Sequence, residues 1–204
     1  MTISELFTTQ VYSASLGRVA GDLNNDILDE VERLYEIDEV GRQWSEDNYL
    51  GGYTSYSSFC ELHRMSSTFS RLEEKIRKHV LLFAEELEYD LGSGTLEMSD
   101  CWVNVMQAGT VHTSHIHPLS CISGTYYVQV PEGASGIVFE DPRLGFLMAA
   151  PPRKKRCKKK NRSHVRIQPA SGKVVLFESW LRHEVPPSPC EDERVGVSFN
   201  YIWK

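Results

Sequence analysis

Arg194-Val-Gly-Val-Ser-Phe-Asn-Tyr-Ile-Trp203, at the end of a 204-residue chain, alternates without a break. Val195, Val197, Phe199, Tyr201 and Trp203 fall on one face of an extended segment, and Arg194, Gly196, Ser198 and Asn200 on the other, because successive strand side chains point to opposite sides. The usual companion of such an apolar face is a solvated one. A solvated face, however, normally carries Lys, Glu or Thr, and this one is small and neutral with a single arginine at its start. That composition suits the wall of a narrow pocket holding one fixed cation, where a guanidinium offers a two-pronged fork to a carboxylate.

Upstream, the same period of two recurs in short runs. Strands are expected at 100–107, 122–130, 136–140, 164–168 and 173–178, besides 194–203. Turn signals separate them: Pro131-Glu-Gly133, Asp141-Pro142, Pro169-Ala-Ser-Gly172 and Pro186-Pro-Ser-Pro189. Many short strands with regular turns predict a sandwich or barrel. The first half reads as scaffold. Leu6, Phe7, Val11 and Tyr12 suggest a short opening strand. Leu23, Ile27, Leu28, Val31 and Leu34 recur at helical spacing behind Asp22, predicting a helix over 22–36. Phe69, Leu72, Ile76, Val80, Phe83, Ala84 and Leu87 predict a second over 67–90, with Gly92 just past its end. Residues 43–60, rich in Gly, Ser and Tyr, read as loop. Both helices must bury their apolar stripes, and one face of the sheet is the surface available.

The length allows a single domain, 1–204, with 1–98 as supporting strand and helices and 99–204 as the β core. Hydrophobic residues make up 41% and charged residues 25%, which argues against wholesale disorder. No apolar run is long enough to span a membrane, and no secretory leader is visible. Five cysteines without a CxxC pair favour a reducing, cytoplasmic setting over a disulfide scaffold. The net charge of −6 hides an asymmetry. Residues 153–162, RKKRCKKKNR, hold 8 of the 22 basic residues, so the remainder balances at 14 − 28 = −14. An acidic body with one basic loop is not a uniformly basic nucleic-acid binder. As a charge block the run reads first as a solvated surface loop. Its functional reading is an arm for an acidic partner, such as nucleic acid or an acidic protein patch, without aromatic residues for base stacking.

Chemistry concentrates at Gly109-Thr-Val-His-Thr-Ser-His115-Ile-His117-Pro118. On an extended backbone His115 and His117 share a side, and two imidazoles make half a site for Fe, Zn, Cu or Ni. Alone, HxH is as readily a pair of hydrogen-bonded surface histidines. His112 has the opposite parity and is the poorer ligand. His183 follows the buried-strand pattern Gly172-Lys-Val-Val-Leu-Phe177, and it can meet the other two only if the sheet folds back on itself, as a small barrel does.

Taken together, Leu6–Tyr12, Trp102–Asn104, His115–Pro118, Ser123–Tyr127, Gly172–Phe177, His183 with Pro186, and Arg194–Asn200 resemble the Fe(II)/2-oxoglutarate-dependent oxygenases, in particular an uncharacterised group of them from bacteria and phages. The order of the motifs is specific, whereas each piece is not. The resemblance implies a double-stranded β-helix, a jelly-roll or cupin-like barrel, with the helices packed on one sheet. It implies Fe(II) held by His115 and His183, with His117 standing where most members have Asp or Glu. Glu184, Glu140 or Asp141 are the carboxylates to consider as replacements. Arg194 would hold the distal carboxylate of the cosubstrate 2-oxoglutarate. Tyr127, Asn104 and Ser198 would line that pocket, which Gly196 would widen slightly. The implied reaction is C–H hydroxylation with release of succinate and CO2.

Two other readings stay open. One is a cupin-like three-histidine metalloprotein, a dioxygenase or isomerase that does not use 2-oxoglutarate; the other is a non-catalytic barrel module. Arg194 favours the oxygenase over the cupin, which needs no carboxylate clamp. Substrate specificity is expected in 43–60 and 141–164. The prime substrate, small or macromolecular, and any homo-oligomer are left undetermined.

Overall fold

The computed structural model describes residues 1–17 and 20–204. In chain order the elements are β1 (Val11–Ser15), α1 (Ala20–Ile37), α2 (Glu39–Asn48), β2 (Gly52–Thr54), α3 (Leu62–Met65), α4 (Ser67–Glu86), β3 (Leu96–Met106), β4 (His112–His115), β5 (Ile122–Gln129), β6 (Ile137–Glu140), β7 (His164–Ile167), β8 (Lys173–Glu178), β9 (His183–Val185) and β10 (Arg194–Trp203). Two antiparallel sheets result. The larger runs β1-β8-β5-β10-β3-β2 and the smaller β4-β9-β6-β7.

Alternation in the central strands sorts side chains between two cores. Val195, Val197, Phe199 and Tyr201 of β10 join Val103 and Val105 of β3, Tyr126 and Val128 of β5 and Val174 and Leu176 of β8 on the outer face, where α1 and α4 bury their stripes. Asn24 fixes α1 to the sheet, donating from Nδ2 to the Val128 carbonyl at 2.8 Å and accepting from the Tyr126 hydroxyl at 2.6 Å. On the inner face Met106, Tyr127, Val175 and Phe177 meet Ile137, Phe139 and Val185 of the smaller sheet. Gly124 marks a close approach in β5: a Cβ there would lie 2.6 Å from the Phe199 ring and 2.6 Å from the Val175 carbonyl oxygen.

The expected strands and both expected helices are present, with shifts of a few residues at their ends. The short elements β2, α3, β4 and β9 are additional, and three expectations differ. Leu6 and Phe7 lie outside any strand and face solvent, and pairing starts at Val11, opposite Phe177. The second helix stops at Glu86 rather than running to 90. Its stop signal is Glu88 in the left-handed region (φ 56°), whose N–H bonds to the Glu85 carbonyl while that of Tyr89 reaches Ala84. This is the two-bond helix ending that glycine usually supplies. Part of the expected loop 43–60 is α2. That helix buries Gly41 and Ser45 rather than large apolar groups, so it shows no hydrophobic stripe in sequence. Its start is held by Asp38, a buried carboxylate that accepts from Gly41 N, the Tyr53 hydroxyl and the Ser58 hydroxyl at 2.6–2.8 Å. All five cysteines are free thiols. Among the described residues no helix is long and apolar enough to cross a membrane.

Candidate metal centre and cosubstrate pocket

The three histidines converge because two short strands pair across the smaller sheet. In the β4–β9 ladder His115 is the direct partner of His183, after an irregularity that separates it from the His112–Val185 pair. The chain then leaves β4, and a hydrogen bond from His117 N to the Ser179 carbonyl (2.9 Å) carries His117 to the same spot. One ligand atom from each of His115, His117 and His183 lies within 4.8 Å of the others. The Nε2 atoms of His115 and His117 are 3.2 Å apart. Two neighbouring imidazoles about 2.1 Å from one ion stand about 3 Å apart, so the spacing is that of a ligand pair.

The outer nitrogens settle which atoms face inward. Nδ1 of His115 bonds to the Thr113 carbonyl at 2.6 Å, Nδ1 of His183 to the Leu181 carbonyl at 2.8 Å, and Nδ1 of His117 to Oδ1 of Asn200 at 2.6 Å. A carbonyl only accepts, so each Nδ1 carries the proton and each Nε2 keeps a lone pair. The orientation of Asn200 is itself determined. Its Nδ2 donates to the Asp100 carboxylate at 3.1 Å, and its Oδ1 also accepts from the Ser123 hydroxyl at 2.8 Å. Ser123 is in turn 2.7 Å from Ser179 Oγ. Burial disfavours the charged form of two of the imidazoles. His183 is pushed down to about 3, first by desolvation and then by its neighbour His115. His117 is lowered by desolvation, against the opposing pull of its bond to Asn200. No carboxylate belongs to the group. Asp141 is instead paired with Arg143, and Glu140 faces His164.

The inner face of β10 continues the site as a cavity of about 360 Å³ shared with the histidines. Arg194 is only 7% exposed, and no carboxylate pairs with it among the described residues. Its Nη1 donates to the Ser135 carbonyl at 2.5 Å, its Nη2 contacts the Met106 sulfur, and its guanidinium lies 5.7 Å from the centre of the Tyr127 ring. A guanidinium has five donors, so donors remain for an anion. Asn104 donates to Ser198 Oγ at 3.0 Å, while its buried Oδ1 has no partner. Orphaned polar atoms and an unpaired buried cation are costly unless a ligand completes them. Gly196 adds no bulk to this wall.

Sequence reasoning thus identified seven residues that one cavity brings together: His115, His117, His183, Arg194, Tyr127, Asn104 and Ser198. It left others unassigned. His112, outside the triad, bonds through Nε2 to the Tyr49 hydroxyl (2.6 Å), and both line the cavity near Arg194. Desolvation, followed by that arginine, pushes His112 down to about 3. Tyr49 sits at the end of α2, and Gly52 leaves room for its ring: a Cβ there would lie 2.7 Å from Tyr49 Cε1. Nothing in the local pattern marks Tyr49. Asn200 was visible as a polar inward position, but its bond to His117 was not. Of the two stretches expected to contact substrate, 43–60 contributes Trp44, Asn48, Tyr49, Thr54 and Tyr56, whereas 141–164 contributes no lining residue.

Residues 100–200 match a family model described as "Putative 2OG-Fe(II) oxygenase". No curated protein matches the sequence. Similar folds occur in a prolyl-4-hydroxylase from Pseudomonas putida (TM-score 0.59, 14% identity, 96% of this chain and 93% of that one). They occur also in HygX from Streptomyces hygroscopicus, solved with nickel and 2-oxoglutarate (0.62, 16%, 95% and 83%). A third is a prolyl hydroxylase from Trichoplax adhaerens in complex with a hypoxia inducible factor peptide (0.62, 18%, 96% and 84%).

Proposed function

Because residues 100–200 match the 2OG-Fe(II) oxygenase family model, we propose that the two facing sheets are a double-stranded β-helix serving an iron- and 2-oxoglutarate-dependent C–H hydroxylase. In this reading His115, His117 and His183 hold the metal and Arg194 clamps the cosubstrate. Iron and 2-oxoglutarate held there would supply the activation of O2, the oxidant: one oxygen atom ends in succinate as 2-oxoglutarate loses CO2, and the other ends in the substrate C–H bond. The protein's part is binding, orientation and exclusion of water. Three protonated Nδ1 atoms, each tied to a carbonyl oxygen, keep the Nε2 lone pairs aimed at one point. Ser135 and Tyr127 hold the guanidinium so that its free donors meet a carboxylate. Asn104 and Ser198 add polar contacts on the same wall.

The observation that carries the proposal is the buried, carboxylate-free Arg194 sharing one cavity with three imidazole lone pairs. It also weighs against a three-histidine metalloprotein without 2-oxoglutarate, which would bury this cation for no purpose. Among the described residues Arg194 is the only one of the lining that stays charged when the imidazoles are neutral, and Trp44, Tyr56, Trp102, Val111 and Ile116 contribute uncharged, largely apolar wall. These walls favour a substrate whose entering group is uncharged. The test is anaerobic addition of Fe(II) and 2-oxoglutarate, read as the visible charge-transfer band of the chelate. Wild type should give the band, Arg194→Ala should need far more 2-oxoglutarate to give it, and His183→Ala should not form it. A wild-type protein without the band refutes the proposal.

A further inference from the structure

The loop between β6 and β7 is unused by the site, yet it is the most strongly charged part of the molecule. No Asp or Glu occurs between Asp141 and Glu178, while 143–173 contains eleven Lys and Arg residues. The cations of 153–162 are all exposed. The same loop presents Phe146 and Met148 to solvent, at 88% and 92% exposure. A second apolar group joins it from the other end of the chain. Ile3, Leu6 and Phe7 are exposed, and they line one cleft together with Lys159, Lys160 and Arg162. Lys160 forms an ion pair with Glu5, tying the two segments.

We propose that this face, comprising Phe146, Met148, the 153–162 cations and the N-terminal apolar residues, docks the protein peripherally on an anionic lipid surface. Each half of the feature answers one half of such a surface. The cations meet lipid phosphates and carboxylates, and the apolar side chains enter the boundary between headgroups and acyl chains. A nucleic acid would use only the first half. Phe146 is the sole aromatic residue of 142–163, too few for a stacking platform. The acidic remainder of the chain repels any long polyanion that extends past the loop, but it turns the loop towards a charged plane. Association of this kind needs no membrane-spanning segment, and the cavity opening is free of loop residues.

The test is co-sedimentation of the full-length protein with phosphatidylcholine vesicles, with and without phosphatidylserine, at physiological salt. Binding should require phosphatidylserine. Each Lys or Arg near the surface contributes about fivefold in partitioning, so changing Lys154, Lys155, Lys158 and Lys159 to Gln should lower binding by several hundredfold. Phe146→Ser with Met148→Ser, which leaves every charge in place, should lower it about tenfold. Unchanged urea unfolding of both variants establishes that they fold. Failure of wild type to bind phosphatidylserine vesicles overturns the proposal. So does wild-type binding by the Phe146/Met148 variant, or tighter binding to duplex DNA than to vesicles of equal charge; that last result assigns the face to nucleic acid.

Discussion

Asn200→Ala should weaken metal binding without touching a ligand. Asn200 Oδ1 accepts the His117 Nδ1 proton at 2.6 Å and is therefore the reason that the His117 lone pair faces His115 and His183. Removing it frees the ring to rotate and lowers the basicity of its Nε2. Loss of such an outer partner costs about 10- to 100-fold in metal affinity, or about 1.4–2.8 kcal/mol. The substitution also strips Asp100 and Ser123 of a partner. That second cost falls equally on metal-free and loaded protein, so it appears in urea unfolding and cancels from the binding constant. Ni(II), which is inert to oxidation, can be titrated against a chromogenic chelator to measure the difference. Asn200→Asp retains an acceptor for His117 but sets two carboxylates together, so it should bind nickel nearly as wild type while unfolding at lower urea. A folded Asn200→Ala protein with wild-type nickel affinity refutes the reasoning.

Metal-free protein should lose stability on acidification. His183 and His112 take up a proton near pH 6.5 when unfolded but only near pH 3 in the fold. Between those values the unfolded chain holds more protons, so each contributes a loss of about 1.4 kcal/mol per pH unit as pH falls. Urea midpoints at a series of pH values should be flat above 6.5 with respect to these groups and fall below it; a flat profile down to pH 4.5 contradicts the burial argument. Gly124→Ala should destabilise by about 1–3 kcal/mol, since the new Cβ meets backbone and a packed ring, and thermal unfolding reads this directly. Asp38→Ala leaves the Gly41 N–H and the Tyr53 hydroxyl without an acceptor, while the Ser58 hydroxyl keeps the Ser55 carbonyl, and should cost about 2–4 kcal/mol, measured by urea unfolding. Because α2 carries Tyr49, affinity for 2-oxoglutarate should fall with it.

The β core was legible because β10 obeys strict alternation, so that one face reads as core and the other as pocket wall. His183 was legible only in company: a lone histidine beyond a buried strand gains meaning once HxH and Arg194 demand a partner. What escaped did so for identifiable physical reasons. α2 packs through Gly41 and Ser45, which leave no apolar periodicity. Tyr49 enters the cavity through the placement of that helix, a tertiary effect. Leu6 and Phe7 suggested a strand by residue type, but β1 pairs from Val11 onward and leaves them exposed. The basic run was visible as a charge block, but its exposed apolar neighbours become a feature only when the N-terminal segment is seen beside it.

The two halves of the cavity rest on unequal foundations. Arg194 opens a ten-residue strand hydrogen-bonded on both sides, whereas His115 and His183 sit on strands of four and three residues. Local opening follows the fewest and most exposed backbone bonds, so amide deuteration should run ahead in β4 and β9 while β10 stays protected. The histidine half of the site breathes first, and an occupant that bridges His115 to His183 acts as a rivet on the part of the molecule most ready to come apart.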